Sequence, residues 1–380
     1  MTGPRVVVAG LGDTGTLTAI HLARHLDVVG ISAKPGLVSG QELGMRLTRP
    51  EEWAEEYWTA FDRYRRLDPA RTVHGTLTGL DPDRREVEVE RADGSTTREP
   101  YDVLVISTGV ANGFWRRPHL QGDEDVATDL EDAHRRLEKA DSVVVVGGGA
   151  AAASSALNIA LRWPEKTVDL CYPGDRPLPR HHPRVWGHVR RRLVAAGVHL
   201  RAGHRAELPA GFGADEITTG TVTWTTGQEP IAADAVVWAI GKVRPNTGWL
   251  PADLLDEHGF VRVLPTLQLP GHPEVFAIGD VAATDPLRSS ARNRADRMLA
   301  HNIRAYLAGR TLRSFDPPRR RWGSVVGPQR DGLQVFAPSG HPFRFPAWSV
   351  RRVLFPWIVR RGIYGGVRPA PAARVRGRDA

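Results

Sequence analysis

A chain of 380 residues, 41% hydrophobic and 25% charged, has the composition of an ordinary folded protein of two or three domains. Its single cysteine, Cys171, excludes an intramolecular disulfide and a C-x-x-C redox pair, and no Cys/His cluster has zinc-ligand spacing, so no metal is expected. The net charge of +8 is uneven: from Thr311 onward many arginines face only Asp316, Asp331 and Asp379, which suits a solvated surface or an anionic membrane, and no nucleic-acid partner is expected.

Arg5-Val6-Val7-Val8-Ala9 reads as a buried parallel strand, and residues 16–23 read as a helix with Leu17, Ile20 and Ala23 on one face. Between them Gly10, Gly12 and Gly15 fit G-x-G-x-x-G. Gly10 permits the tight turn, Gly12 lets a pyrophosphate approach the backbone, and Gly15 lets the helix pack close to the strand. The amides at the helix N-terminus then face phosphate charge. Residues 28–32 form a second strand whose end, Ser32-Ala33-Lys34, lacks the acid that usually meets an adenosine ribose; a serine hydroxyl is a weaker partner.

Residues 36–64 hold a loop and then a helical pattern in which Trp53, Tyr57, Trp58 and Phe61 recur as core residues. Residues 76–81, 87–89 and 96–97 are short antiparallel strands with an Asp93-Gly94 turn. The apolar strand at 101–106 ends in Ser107-Thr108-Gly109, placing backbone where ligands of open α/β folds sit.

Residues 143–152 repeat the opening pattern, with Gly147, Gly149 and Ala152 fitting G-x-G-x-x-G/A between a strand and a helix. Two such units are far more specific than one. The apolar run 143–161 carries three central glycines and is read as strand–turn–helix rather than as a membrane span. The following strand, 167–172, contains Cys171 as a core thiol and ends at Tyr172 without an acid. Arg176 and Arg180 follow, an arrangement that tolerates a 2′-phosphate and so favours NADPH. His181 and His182 read as a solvated loop pair.

Residues 235–240 are a further strand leading into Gly241-Lys242-Val243-Arg244-Pro245-Asn246. The strand 275–278 ends in Gly279-Asp280, and Asp280 suits a hydrogen bond to a polyol hydroxyl. A helix is expected after it, with Asp285 as cap, Pro286 in its first turn, a buried stripe of Ala291, Ala295, Leu299 and Ile303, and Gly309 as its end. Its positive N-terminus would point towards whatever Asp280 holds.

GLGDTG at 10–15, STG at 107–109, GGGAAA at 147–152 and AIGD at 277–280 occur in an order that resembles the pyridine nucleotide-disulfide oxidoreductase family of flavoproteins, over residues 5–310. WPEK at 163–166 and GPQRDG at 327–332 are similar to its apoptosis-inducing-factor-like, ferroptosis-suppressor and type II NADH dehydrogenase subgroup. The resemblance implies an α/β fold with two Rossmann-like domains. Residues 1–113 and 245–315 would bind FAD, an inserted domain at 114–244 would bind NAD(P)H, and 316–380 would form a C-terminal interface or membrane-surface region.

By position, Gly10, Gly12, Asp13, Thr14 and Gly15 would hold the FAD pyrophosphate. Ser32 and Lys34 would lie near the adenosine, Arg46, Thr108 and Gly109 would line the flavin cleft, and Asp280 with Val281 would meet the ribityl chain. Gly147, Gly149, Ala150, Ala151 and Tyr172, with Arg176 beside them, would surround NAD(P)H. Two departures stand out. The family's ribose acid is Ser32, and the glutamate often found after the second glycine turn, near the nicotinamide–flavin contact, is Ser154.

The function this implies is an FAD-dependent NAD(P)H oxidoreductase that passes electrons to a quinone-like small acceptor. Hydride moves between cofactors and the protein supplies alignment, so no catalytic side chain is expected. The alternatives are a reductase of a ferredoxin- or rubredoxin-type protein, docked on the basic tail, and a non-catalytic nucleotide-binding flavoprotein. Residues 348–361 mix bulky apolar side chains with arginines, as peripheral contact with the inner face of a cell membrane requires; packing over the flavin domain or a homodimer contact is the other use. Pro356 is expected to interrupt a single helix there. No signal-like segment opens the sequence, and the expected location is cytoplasmic.

Overall fold

The computed structural model describes residues 3–111, 117–208, 210–214, 216–241, 243–284, 295–317 and 322–370. Its largest sheet has eight strands, in the order Gln268–Leu269, His272–Ala277, Val103–Ile106, Arg5–Ala9, Asp27–Ser32, Arg71–Asp81, Glu86–Arg91 and Thr96–Pro100. The centre is parallel: Val6 lies beside Val28 on one side and Val103 on the other, and Val275 lies beside Leu104. Val6, Val7, Val8 and Val103 to Ile106 are fully buried, which is why these strands read as unbroken apolar runs. Helix Asp13–Leu22 covers one face together with helix Ala295–Leu307, joined to it by a 2.9 Å contact between His21 Nε2 and Asp296 Oδ2.

A second sheet lies between Ser142 and Trp238 in the sequence, in the order His199–Arg201, Thr167–Cys171, Ser142–Val146, Ile231–Trp238 and Thr218–Val222. All neighbours are parallel except Thr218–Val222. The fold is therefore α/β with two Rossmann-like units. The chain crosses between them twice, and the crossings pair: Val110–Ala111 lies antiparallel to Arg244–Pro245. Thr108 Oγ1 donates to Asn246 O at 2.8 Å, and Asn246 Nδ2 donates to Thr108 O at 3.0 Å, fixing the Ser107-Thr108-Gly109 turn to the return strand.

The C-terminal region adds strands Pro328–Gln329, Gly332–Phe336 and Pro342–Phe345 and then a π-helix, Val350–Ile363. Val350, Phe355 and Val359 pack on Met45, Trp53 and Tyr57 of helices Leu43–Thr48 and Pro50–Tyr57. Trp348, Trp357 and Ile358 face outward, 60%, 58% and 48% exposed.

Several expectations change. The helical aromatic pattern stops at Tyr57: Trp58–Ala60 is a strand paired with Gly36–Val38, and only the earlier aromatics share the helix. Pro356 does not interrupt its helix. It lies inside the π-helix Val350–Ile363, whose i→i+5 winding differs from the α-helix in which proline meets the carbonyl four residues back, and the helix goes without one N–H donor. The histidine pair is not merely solvated: His182 Nδ1 accepts from Arg184 N at 3.2 Å and caps helix Pro183–Ala195, and His181 Nδ1 is buried, burial holding its imidazolium below the usual range. Cys171 is fully buried, and burial pushes its thiol up to about 12, as a core thiol requires. The expected cap Asp285, Pro286 and Ala291 lie outside the described residues, while Ala295, Leu299 and Ile303 form a buried stripe. Among the described residues no helix is long and apolar enough to cross a membrane.

Candidate functional site

The two glycine turns separate into residues the protein itself needs and residues it does not. Gly10 has φ +102, and a β-carbon there would lie 2.6 Å from Ser107 O. At Gly15 a β-carbon would collide with the Gly10 carbonyl, and at Gly147 with the Ala239 carbonyl. These glycines are demanded by packing. Gly12 and Gly149 have ordinary φ values of −73 and −92, and a β-carbon on either would meet nothing within 4 Å. Each precedes the first residue of a helix, so each keeps open space in front of helix N-terminal amides. That space fits a pyrophosphate, which needs close backbone approach and the favourable end of the helix dipole.

A cavity of about 630 Å³ opens along the first turn at the carboxyl ends of the parallel strands. Gly10, Gly12, Asp13, Thr14, Ser32, Lys34, Thr108, Gly109 and Asp280 line it. Gly15, Arg46 and Val281 stand outside this lining. Val281 is a core side chain packed in the same apolar cluster as Val7 and Ala277, and the buried Arg46 stacks its guanidinium 4.9 Å from the Trp53 ring centre. Gly75, Thr76, Arg117, Arg244, Asn246 and Trp249 also line the cavity. Of these only the Arg244-Pro245-Asn246 turn stands out in the sequence; Gly75 and Thr76 reach the cavity on the strand Arg71–Asp81, which pairs antiparallel with Glu86–Arg91, and Arg117 and Trp249 reach it from segments next to the two crossings between the units.

Asp13 carries a structural task. Its carboxylate accepts from Ser39 Oγ at 2.8 Å, Gln41 Nε2 at 3.3 Å and Gly40 N at 3.3 Å, so it holds the loop that forms one cavity wall. Thr14 meets Gly279, where a β-carbon would lie 3.3 Å from Thr14 Oγ1, bringing the first turn and the Asp280 turn together. Ser32 Oγ accepts from Lys34 N at 3.1 Å, and Lys34 Nζ donates to Arg117 O at 2.8 Å. Burial, with the charge of Arg46 second, lowers the Lys34 ammonium to about 8. This end of the cavity is cationic where a ribose-binding acid is customary.

At the second turn, Gly147, Gly149, Ala150 and Ala151 stand at the start of helix Ala150–Arg162. Leu178 N donates to Gly148 O at 2.7 Å, pinning the loop after Tyr172 against the turn. Tyr172 is buried, its ring edge-on to Trp186 at 6.3 Å. In the same loop Arg176 Nη1 is buried without a hydrogen-bond partner among the described residues. An orphaned guanidinium nitrogen beside a nucleotide turn with no strand-end acid fits an incoming phosphate. Among the described residues no group of three or more His, Cys, Asp or Glu side chains could hold a metal.

Two strand–glycine turn–helix units in one chain, each with open space before its helix, fit the two nucleotides of a two-nucleotide oxidoreductase. The chain belongs to the pyridine nucleotide-disulphide oxidoreductase family, whose model matches residues 4–304. It is 28% identical over 337 residues to oxidoreductase ptaL of Pestalotiopsis fici, covering 86% of this chain and 84% of that one. It is 27% identical over 259 residues to ferroptosis suppressor protein 1 of Xenopus tropicalis, covering 64% of this chain and 66% of that one, in keeping with the ferroptosis-suppressor-type subgroup. The covalent putidaredoxin reductase–putidaredoxin complex contains a similar fold, with TM-score 0.63, 21% identity and coverage of 88% of this chain and 87% of that one. The protein is an FAD-dependent NAD(P)H oxidoreductase, with FAD and NAD(P)H as its cofactors.

Proposed function

We propose that this enzyme takes electrons from NADPH in preference to NADH and delivers them to a quinone-like small acceptor drawn from a membrane surface. The FAD-binding part is assigned to residues 1–113 and 245–315, the nicotinamide part to 114–244, and the acceptor-facing part to 316–380. Bound FAD supplies the two-electron chemistry. The open space at Gly12 and the amides of helix Asp13–Leu22 receive its pyrophosphate. Ser32 and Lys34 bound its adenosine end, and Asp280 faces the polyol chain. Gly149, Ala150 and Ala151 receive the nicotinamide nucleotide, with Arg176 holding the 2′-phosphate. Thr108 and Asn246 keep the floor between the two parts rigid through their paired hydrogen bonds.

The observation that carries the acceptor reading is the two-faced C-terminal helix. Its inner side packs on the helices that follow the cavity loop, its outer side shows Trp357 and Ile358, and Trp348 is exposed on the short helix Ala347–Ser349 directly before it. Arg351, Arg352 and Arg361 are exposed among them, with the Arg361 guanidinium 4.9 Å from the Trp357 ring centre. Aromatic rings with interleaved cations suit the headgroup layer of an anionic bilayer, here the inner face of the cell membrane. The likeness to putidaredoxin reductase favours a second reading, in which the same basic surface docks a small iron–sulfur protein. Purified protein bleached by NADPH and reoxidised by a soluble quinone supports the first reading. Reoxidation by a ferredoxin alone replaces it with the second.

A further inference from the structure

Besides the paired crossings at Val110–Ala111 and Arg244–Pro245, the two units meet along a seam where helix Leu43–Thr48 lies on helix Ala150–Arg162. Leu43 and Leu47 share one buried apolar cluster with Ala152, Ala153 and Ala156, and with Val325 and Val326 of the C-terminal segment. Gly44 permits the close approach, since a β-carbon there would lie 2.6 Å from Ser154 Oγ. Apolar burial is non-directional and by itself sets no single angle between the helices. The direction comes from a buried amide.

Asn158, on helix Ala150–Arg162, is 3% exposed. Its Nδ2 donates to Ser154 O at 2.9 Å within the helix, with Ser154 Oγ beside it at 3.4 Å, and to Val326 O at 3.2 Å on the C-terminal segment. Its Oδ1 accepts from Gln329 Nε2 at 3.1 Å and from Arg49 Nη2 at 3.4 Å. Arg49 stands at the junction of helices Leu43–Thr48 and Pro50–Tyr57, and the same nitrogen donates to Pro328 O at 2.7 Å. A side-chain amide has two donor hydrogens and two acceptor lone pairs, so its capacity is filled. Turning it over would set Oδ1 against two carbonyls and Nδ2 against two donors, which fixes its orientation. One buried side chain thus bonds the helix of the second glycine turn to the helices that follow the first and to the C-terminal segment.

Hydride transfer needs its reacting atoms about 3–3.5 Å apart, and a misplacement of about 1 Å can cost about 10²-fold in rate. Helix Ala150–Arg162 fronts the second nucleotide space with its first turn and carries Asn158 further along, so a turn of this helix against helix Leu43–Thr48 displaces that space relative to the first. We propose that Asn158 is a positioning residue for hydride transfer: its bonds across the seam hold the second unit at one angle to the first, and with it the approach of the nicotinamide to the flavin. The inference rests on the placing of FAD at the first glycine turn and NAD(P)H at the second, as proposed above.

The test uses the FAD-loaded full-length chain, mixed rapidly with NADPH at a series of concentrations while flavin bleaching is followed. Asn158→Leu is expected to lower the limiting rate constant roughly tenfold or more, while flavin content and the dissociation constant for NADPH stay within about twofold of the parent. Gln329→Met removes one bond from outside the helix and is expected to give a smaller loss of the same kind, which keeps the proposal testable should Asn158→Leu fold poorly. Hydrogen exchange is the second readout: in both variants the amides of residues 43–48 and 324–329 should exchange faster than in the parent, and those of strand Arg5–Ala9 should not. A parental limiting rate in both variants, a loss carried wholly by missing flavin or weaker NADPH binding, or unchanged exchange at the seam overturns the proposal. Gly149→Val in the same assay tests the assignment beneath it: parental NADPH affinity there overturns the placing of NAD(P)H at the second turn, whatever the Asn158 variant does.

Discussion

Gly44 and Ser154 meet where helix Leu43–Thr48, which follows the first glycine turn, crosses helix Ala150–Arg162, which opens at the second. A β-carbon on Gly44 would stand 2.6 Å from both the Ser154 carbonyl carbon and its Oγ. Ser154 is 3% exposed, so neither residue has room to move outward. Gly44→Ala is expected to cost about 1–3 kcal/mol, the usual range for overpacking a tight contact. Urea unfolding measures it, and a variant as stable as the parent contradicts the contact.

The glycine turn offers a contrast between neighbours. Gly12→Ala places its methyl group in open space and should leave the stability of the ligand-free protein unchanged while lowering FAD occupancy at least about tenfold, since the pyrophosphate needs that space. Gly10→Ala should destabilise the fold by more than about 1 kcal/mol, because φ +102 and the Ser107 carbonyl both oppose a β-carbon. Melting curves and the flavin absorbance of the purified variants separate the two. Loss of stability at position 12 with full flavin content would reverse the assignment.

Lys34 gives a pH signature with two opposite signs. Burial brings its folded value to about 8, against 10.5 for an ordinary lysine. Between these limits the unfolded chain binds more protons than the folded one, so the ligand-free protein should gain stability as pH rises from about 8 to 10.5. FAD binding should run the other way: its phosphates favour the charged lysine, so affinity falls above pH 8. Lys34→Met should flatten both profiles in thermal melts and flavin titrations, and a variant with parental profiles removes Lys34 from the site.

Arg176 bears on the choice of reductant. On the proposed NADPH reading, Arg176→Ala should raise KM for NADPH about tenfold or more and leave KM for NADH unchanged, because that reading gives its guanidinium one charge-assisted bond to the 2′-phosphate. Steady-state kinetics with both nucleotides decide it, and equal changes for the two would assign Arg176 to the loop's structure alone.

The outer face of the C-terminal helix can be tested without turnover. Trp348→Ser combined with Trp357→Ser removes two exposed indoles without touching the inner residues Val350, Phe355 and Val359. Co-sedimentation with vesicles containing anionic lipid should fall several-fold in this double variant, and the parent's binding should weaken with added salt. Parent and variant sedimenting alike would remove the membrane from the proposed function.

The sequence by itself determined the two strand–glycine turn–helix units, the strands beside them and the buried character of Cys171. These depend on sterics and burial acting over a few consecutive residues, which leave a mark in the local pattern. The tertiary structure decided that Asp13 holds Ser39 and Gln41, that Arg46 lies against Trp53, that Pro356 sits inside a helix, and that Glu42 reaches Gly327. The contacts of Asp13 and Glu42 join segments apart in the chain, that of Arg46 depends on the angle between two consecutive helices, and the place of Pro356 depends on helix winding. No local periodicity fixes such pairings, because they follow from how finished elements stack on one another.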